Sequence, residues 1–221
     1  MDIYTYPGSN VLINKFNIKN KDELERKEQN HVTQSMDILK RKLDVKTKED
    51  YYAIHKYLFG DVYDWAGEKR KVNIYKEEPK LYGASIHYAD KSIIDKKLDQ
   101  LFSEAETKNP EKMKPTAFKN HVKELTADLW RVHPFRDGNT RTVLVFADKY
   151  CEQYGYEMDI EKIIEIGSDF RDALMFTNCY IEGEKASIED RKMLEDIFND
   201  TIHPTKEKRK EMQKSKKQLE R

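Results

Sequence analysis

Two cysteines, eight glycines and six prolines are a small allowance for a chain of 221 residues, and each scarcity rules something out. Cys151 and Cys179 belong to no C-x-x-C pair, so neither a disulfide framework nor a zinc site has the thiols it needs. Both lie among apolar or aromatic neighbours, the setting of buried free thiols in a reducing compartment. So little Gly and Pro leaves an all-β fold short of turn material. Net charge is missing as well: Lys+Arg and Asp+Glu both number 41, so no global attraction to nucleic acid or membrane follows. No apolar run approaches the roughly 18 residues that read as a membrane span. The N-terminal stretch also lacks the apolar centre of a signal peptide, and a cytoplasmic protein is expected.

Paired charge is what the chain has in abundance. Charged residues make up 37% and apolar ones 38%, which predicts a thin core carried by amphipathic helices with solvated outer faces. A mainly α fold of one domain with appendages is expected.

Residues 1–20 read as an extended, turn-rich arm. Asn20 caps a predicted helix over residues 21–43, and Thr47 opens a second with Tyr51, Ile54, His55, Leu58 and Phe59 on one side and Gly60 as its stop. Residues 70–75 alternate polar with apolar and read as a strand. With 85–88 returning, they predict a small hairpin around a Glu77-Glu78-Pro79-Lys80 turn. A helix begins near Ile93, and Pro110 and Pro115 break the chain before a longer one. In that longer helix Phe118, Val122, Leu125 and Leu129 form one apolar face. Residues 142–147 are apolar all round, so their helix should lie at the centre of a bundle. Two further helical pieces run near 170–176 and 193–198. The last 19 residues, 203–221, carry eight Lys/Arg against three Glu and read as a basic tail, helical or disordered and solvated rather than nucleic-acid binding.

Between the amphipathic helix and the apolar one lies the most informative stretch, His133-Pro134-Phe135-Arg136-Asp137-Gly138-Asn139-Thr140-Arg141. Phosphoryl chemistry on a nucleotide needs a base, a metal carboxylate and phosphate donors close together. His133 is the general-base candidate, and Asp137 is a hard oxygen ligand suited to Mg²⁺. Gly138 admits a phosphate close to the backbone, Asn139 can cap the following helix or reach a phosphate oxygen, and Arg141 sits one turn inside it. Phe135 should anchor the loop in the core and Pro134 stiffen it. Singly, each of these residues has an ordinary structural explanation; the joint arrangement between two apolar helices is what points to a nucleotide-phosphate site. The remaining histidines, His31, His55, His87, His121 and His203, show no ligand spacing and read as structural or surface residues.

The loop resembles the Fic (Fido) signature H-P-F-x-[D/E]-G-N-G-R-x-x-R. The likeness extends to Tyr4-x-Tyr6-Pro7-Gly8, to Val11-Leu12-x-Asn14-Lys15 and to Asp61-Val62-Tyr63-Asp64-Trp65-Ala66-Gly67, as in Fic toxins regulated by an antitoxin. The resemblance covers about residues 4–200. It implies a Fic-type helical bundle over residues 1–202 with a small β-hairpin flap at about 72–88, and transfer of AMP from ATP to a Tyr, Ser or Thr hydroxyl of a target protein. His133 would deprotonate that hydroxyl, Asp137 would hold Mg²⁺, and Gly138, Asn139, Thr140 and Arg141 would line the anion hole. Flap residues Asn73, Ile74, Tyr75 and Lys76 would dock the target segment by strand addition. Two departures stand out. Thr140 replaces the second Gly, and Leu144 stands where the family has a second arginine. No [S/T]-x-x-x-E-[G/N] inhibitory segment is present, since Thr107-Lys108-Asn109-Pro110-Glu111 is followed by Lys112. Self-inhibition is therefore not expected, and a separate small antitoxin protein would supply the inhibitory glutamate. Competing readings are a Fic-like enzyme that uses another nucleotide or transfers phosphate, and a catalytically weak nucleotide- or partner-binding module.

Overall fold

Asn20 opens the first helix as its sequence predicts, its side chain accepting from the Glu23 amide at 3.0 Å. A computed structural model describes residues 2–75, 79–81, 85–181, 184–185 and 188–219. Helix α1 runs Lys21–Ser35 and tightens into a 3₁₀ turn at Met36–Lys40, so the predicted single helix to residue 43 is corrected. The next buried apolar residue after Val32 is Ile38, two three-residue turns on, and the tighter winding brings it onto the buried stripe.

Helix α2, Lys48–Phe59, starts on a reciprocal capping box of Thr47 and Asp50 and buries Tyr51, Ile54, His55, Leu58 and Phe59, the five residues of its predicted face. α3 spans Ile94–Thr107, and α4 spans Pro115–Val132 with proline in its first turn. α5, Asn139–Gln153, is buried without a break from Thr142 to Ala147, and α2 and α4 both pack on it. The all-apolar helix is thus central, as expected. α6 (Ile160–Glu165), α7 (Gly167–Asn178), α8 (Ile188–Thr201) and α9 (Lys206–Leu219) complete the helices, with α7 and α8 lying against α4.

Five short strands accompany them among the described residues. β1 (Ser85–Ile86), β3 (Cys179–Ile181) and β4 (Glu184–Lys185) form an antiparallel sheet in the order β1-β3-β4, while β2 (Tyr156–Met158) pairs with β5 (Ile202–Pro204). The predicted hairpin is corrected here. Residues 70–75 have no regular structure, and β1 pairs with β3 through Ser85↔Tyr180 and Ile86↔Cys179. The alternation misleads because Arg70 and Asn73 are recruited elsewhere. Arg70 is 1% exposed and spends its guanidinium on backbone carbonyls, and Asn73 bonds Asp90 and the Lys91 amide. The Glu77-Glu78 turn and Lys76 lie outside the described residues. At the other end the tail boundary drawn at 203 falls inside β5, where Glu157 faces His203, and residues 206–219 are helical.

The N-terminal arm closes on itself through a Thr5–Leu12 bridge and reaches the central loop, where Asp2 pairs with Arg136 at 2.6 Å. Cys151 and Cys179 are buried and unpaired with each other, and burial pushes the Cys151 thiol up. Among the described residues no helix is long and apolar enough to cross a membrane.

Candidate active site

α4 ends where it must release its chain into the loop. His133 adopts φ 51°, a left-handed conformation uncommon for a residue with a Cβ, and caps the helix through its amide to Leu129 O. That conformation is held from outside the helix. The Arg70 amide donates to Pro134 O at 2.7 Å and its Nε donates to His133 O at 2.8 Å. Other guanidinium nitrogens of Arg70 bond Val72 O and Ala89 O, so one buried side chain joins the loop to both ends of the segment between them. Burial lowers the Arg70 pKa, opposed by Asp90. The guanidinium has carbonyl dipoles rather than a carboxylate at these bonds.

Further along, Asn139 staples the loop shut. Its Oδ1 accepts from the Phe135 amide at 3.0 Å and its Nδ2 donates to Phe135 O at 2.9 Å. The Asn139 side chain, 3% exposed, is therefore neither the helix cap nor a phosphate ligand, and only its backbone N–H can face an anion. Phe135 is fully buried and stacks on His55 with ring centroids 3.8 Å apart, which bears out its anchoring role.

His55 fixes the loop from α2. The Gly67 amide donates to Nδ1 at 2.8 Å, so the proton sits on Nε2, which donates to Asp137 O at 3.0 Å. Burial pushes this imidazole down to about 3; the Asp137 carbonyl opposes the shift and nearby Arg141 adds to it. Gly138 follows at φ 79°, and a Cβ there would stand 2.5 Å from the Phe59 ring, so glycine is required twice over.

A cavity of about 230 Å³ opens over this loop, lined by Tyr88, Trp130, His133, Asp137, Gly138, Asn139, Thr140, Arg141 and Arg171. Predicted site residues 133, 137 and 138–141 are thus brought together. The N-terminus of α5 faces it with no side-chain cap, so the first amides of the helix and the positive end of its dipole are available to an anion. Thr140 turns its hydroxyl away to accept from Trp130 Nε1 at 3.0 Å, which places the extra side chain against the wall. Leu144 is buried and contributes no charge.

On the base side, His133 Nδ1 lies 3.1 Å from Trp130 O. A carbonyl only accepts, so Nδ1 carries the proton and Nε2 is the basic nitrogen. Tyr88 stacks on the imidazole at 4.0 Å and Trp130 meets it edge-on at 5.3 Å, which restrains the ring plane. Asp137 is exposed; one oxygen accepts from the Gly138 amide at 2.6 Å, and the other makes no hydrogen bond to a described residue. One carboxylate beside an anion site fits Mg²⁺ held jointly with substrate phosphates, whereas no cluster of three or more metal-ligating side chains occurs among the described residues.

Sequence reasoning missed Glu28. From α1 it pairs with Arg141 at 2.6 Å and accepts from the Tyr63 hydroxyl, while the guanidinium rests 4.6 Å over the Phe59 ring. Burial first, then the Glu28 charge, raises the Tyr63 pKa. A signal existed: Leu24, Glu28 and Val32 follow at i, i+4 and i+8, which puts a carboxylate on the buried stripe. Arg70, Tyr88 and Arg171 were missed too, because their roles arise from neighbours far away in sequence, whereas His55 is the structural residue expected of it. Of the proposed docking residues, Asn73, Ile74 and Tyr75 do not line the cavity, and Lys76 lies outside the described residues. Asn73, Ile74 and Tyr75 make no backbone hydrogen bond to another described residue, and Tyr75 is 92% exposed.

Comparison with known proteins agrees with this geometry. The sequence profile of the Fic/DOC family matches residues 45–151. The Sinorhizobium fredii protein named "Probable protein adenylyltransferase y4lH" is 30% identical over 179 residues, covering 73% of this chain and 81% of that protein. Protein adenylyltransferase VbhT of Bartonella schoenbuchensis is 32% identical over 165 residues, 73% of this chain and 33% of its own length. Among solved structures, the N-terminal Fic domain of a VirB-translocated Bep effector from Bartonella quintana, with bound ADP, superposes with a TM-score of 0.76. It is 25% identical and covers 92% of this chain and 96% of that one. The chain belongs to the Fic/DOC family.

Proposed function

We propose that this protein is a protein adenylyltransferase that moves AMP from ATP to a Tyr, Ser or Thr hydroxyl of a target protein. The observation that carries the reading is the position of His133. Its Nδ1 is committed to Trp130 O, so its basic Nε2 belongs to a ring on the same cavity as the uncapped N-terminus of α5.

In this mechanism Nε2 takes the hydroxyl proton, and the oxygen attacks the α-phosphorus. The bond to the bridging oxygen breaks, pyrophosphate leaves, and AMP remains on the protein as a phosphodiester. Backbone amides at 139–141 hold developing charge on the α-phosphate, and Arg141 binds beyond it. Mg²⁺, held by Asp137 together with the nucleotide, would neutralise charge on the departing pyrophosphate. Asn73, Ile74, Tyr75 and Lys76 would dock the target segment by strand addition. The backbone of 73–75, in no strand and without hydrogen-bond partners among the described residues, supports this.

The same reading places the enzyme in the cytoplasm as a toxin restrained by a small protein that inserts a glutamate. The missing inhibitory segment supports it. Glu28 already occupies Arg141 within the chain, so an incoming carboxylate would have to compete for that guanidinium.

The test is incubation of a cell lysate with the protein and Mg·ATP beside His133→Ala, followed by mass spectrometry. A mass increment of one AMP residue on a target hydroxyl, lost in the variant, is expected. A phosphate or UMP increment, or equal labelling by both proteins, would overturn the assignment. Expression should arrest growth, and His133→Ala should abolish the arrest.

A further inference from the structure

Arg141 brings its hydrogen-bond donors to the anion site without a net charge. It lies in the first turn of α5 and on the cavity wall, with its Nη1 2.6 Å from Oε1 of Glu28. Glu28 is no surface partner. Its side chain is 11% exposed, and its other oxygen accepts from the Tyr63 hydroxyl. Both oxygens face donors, which suits an ionised carboxylate. Tyr63 is buried and stacked on Trp65 at 4.5 Å, so Glu28 is fixed from behind. The guanidinium is fixed as well, 4.6 Å over the Phe59 ring.

A buried ion pair loses much of its attraction to desolvation, so stability alone gives little reason for this one. Its place beside the anion site gives it another effect. A guanidinium has five N–H donors, and Glu28 is the only acid within ion-pair distance of Arg141 among the described residues. Donors therefore remain for a phosphate, but the carboxylate acts on that phosphate across the width of the guanidinium. At about 7 Å and an effective dielectric near 20, its repulsion weakens binding of one unit of phosphate charge by about ten- to hundredfold. Asp137 adds a second carboxylate to the same wall. Uncomplexed ATP meets both. Its magnesium complex is less negative by the charge of the ion and meets much less opposition.

Resting on the nucleotide reading above, we propose that Glu28 is a specificity-determining residue. By cancelling the charge of Arg141, it makes the site select the magnesium complex of ATP over uncomplexed ATP. Arg141 keeps the directional donors, and the neutralising charge has to arrive with the nucleotide.

Glu28→Gln separates charge from geometry, because its amide oxygen can still accept from Arg141. Calorimetric titration of the full chain with ATP in Mg²⁺, and with ATP in a chelator without Mg²⁺, gives two affinities for each protein. Their ratio is the readout, since a uniform effect on the fold cancels in it. Wild type should prefer the magnesium complex by about tenfold or more. In Glu28→Gln uncomplexed ATP should bind about ten- to hundredfold more tightly than in wild type, so the ratio should shrink by about fivefold or more. Glu28→Asp, which keeps the charge, should hold the wild-type ratio to within about threefold. An unchanged ratio in Glu28→Gln overturns the assignment and leaves the transferase reading intact, even if both affinities fall together. Equal affinity for the two forms in wild type overturns it too, whether or not the variant folds. Wild type that binds neither form overturns the nucleotide site itself, and this assignment with it.

Discussion

Lowering the pH from 7.5 to 5 should cost this fold about 2 kcal/mol at one side chain, His55. The ring is fully buried between Phe135 and Phe59, with both nitrogens committed, and its folded pKa is pushed down to about 3. The unfolded value is near 6.5. Since the folded value is the lower one, the unfolded chain binds the extra proton. The stability is complete above about pH 6.5 and is lost as pH falls from there towards 3. At pH 5 the folded ring is still neutral and the unfolded ring is almost fully charged, so the loss is about RT ln(1 + 10^1.5), or ~2 kcal/mol. A chain of this size should drop by roughly 4–8 °C in Tm.

His121 is also held low, at about 4, by burial, so the raw pH slope mixes two groups. His55→Gln keeps an amide donor for Asp137 O and removes the titration. Urea denaturation followed by circular dichroism at both pH values gives the difference between wild type and variant. That difference should shrink by ~2 kcal/mol at pH 5. If it stays constant to within ~0.5 kcal/mol, the claim that a neutral imidazole holds the loop is refuted.

Gly138→Ala should lose about 2 kcal/mol or more of stability, because left-handed backbone and the Phe59 ring both oppose a Cβ, and nucleotide affinity measured by calorimetry should fall with it. Asn139→Ala leaves the Phe135 amide and carbonyl buried without the bonds that close the loop, which costs about 1–3 kcal/mol per group and is read by thermal denaturation. Arg70→Met keeps the bulk but strips the carbonyls of His133, Val72 and Ala89 of their donor. It should lower stability by ~3 kcal/mol or more and slow AMP transfer at saturating ATP, since His133 loses its clamp.

Much was legible without coordinates because it is local. Asn20 and Thr47 announce helix starts through their own side chains, and the face of α2 follows from spacing alone. The loop from His133 to Arg141 could be read because its residue types are costly to place together unless phosphate chemistry uses them. What failed was also local pattern, outvoted by distant contacts. Residues 70–75 alternate like a strand, yet Arg70 is worth more as a buried donor to three carbonyls than as a strand residue facing water. Asn139 looked like a cap or a ligand and is a staple, since the nearest unsatisfied backbone groups belong to Phe135.

By itself, then, the sequence determined the helical class, the central place of α5 and which loop residues meet at its N-terminus, because capping, periodicity and residue type act over a few neighbours. Tertiary structure alone decided that Glu28 neutralises Arg141, that a neutral His55 holds the Asp137 carbonyl, and that Arg171 joins the cavity from α7. Each of those depends on a partner tens of residues away or on a backbone carbonyl whose direction exists only once the helices have packed.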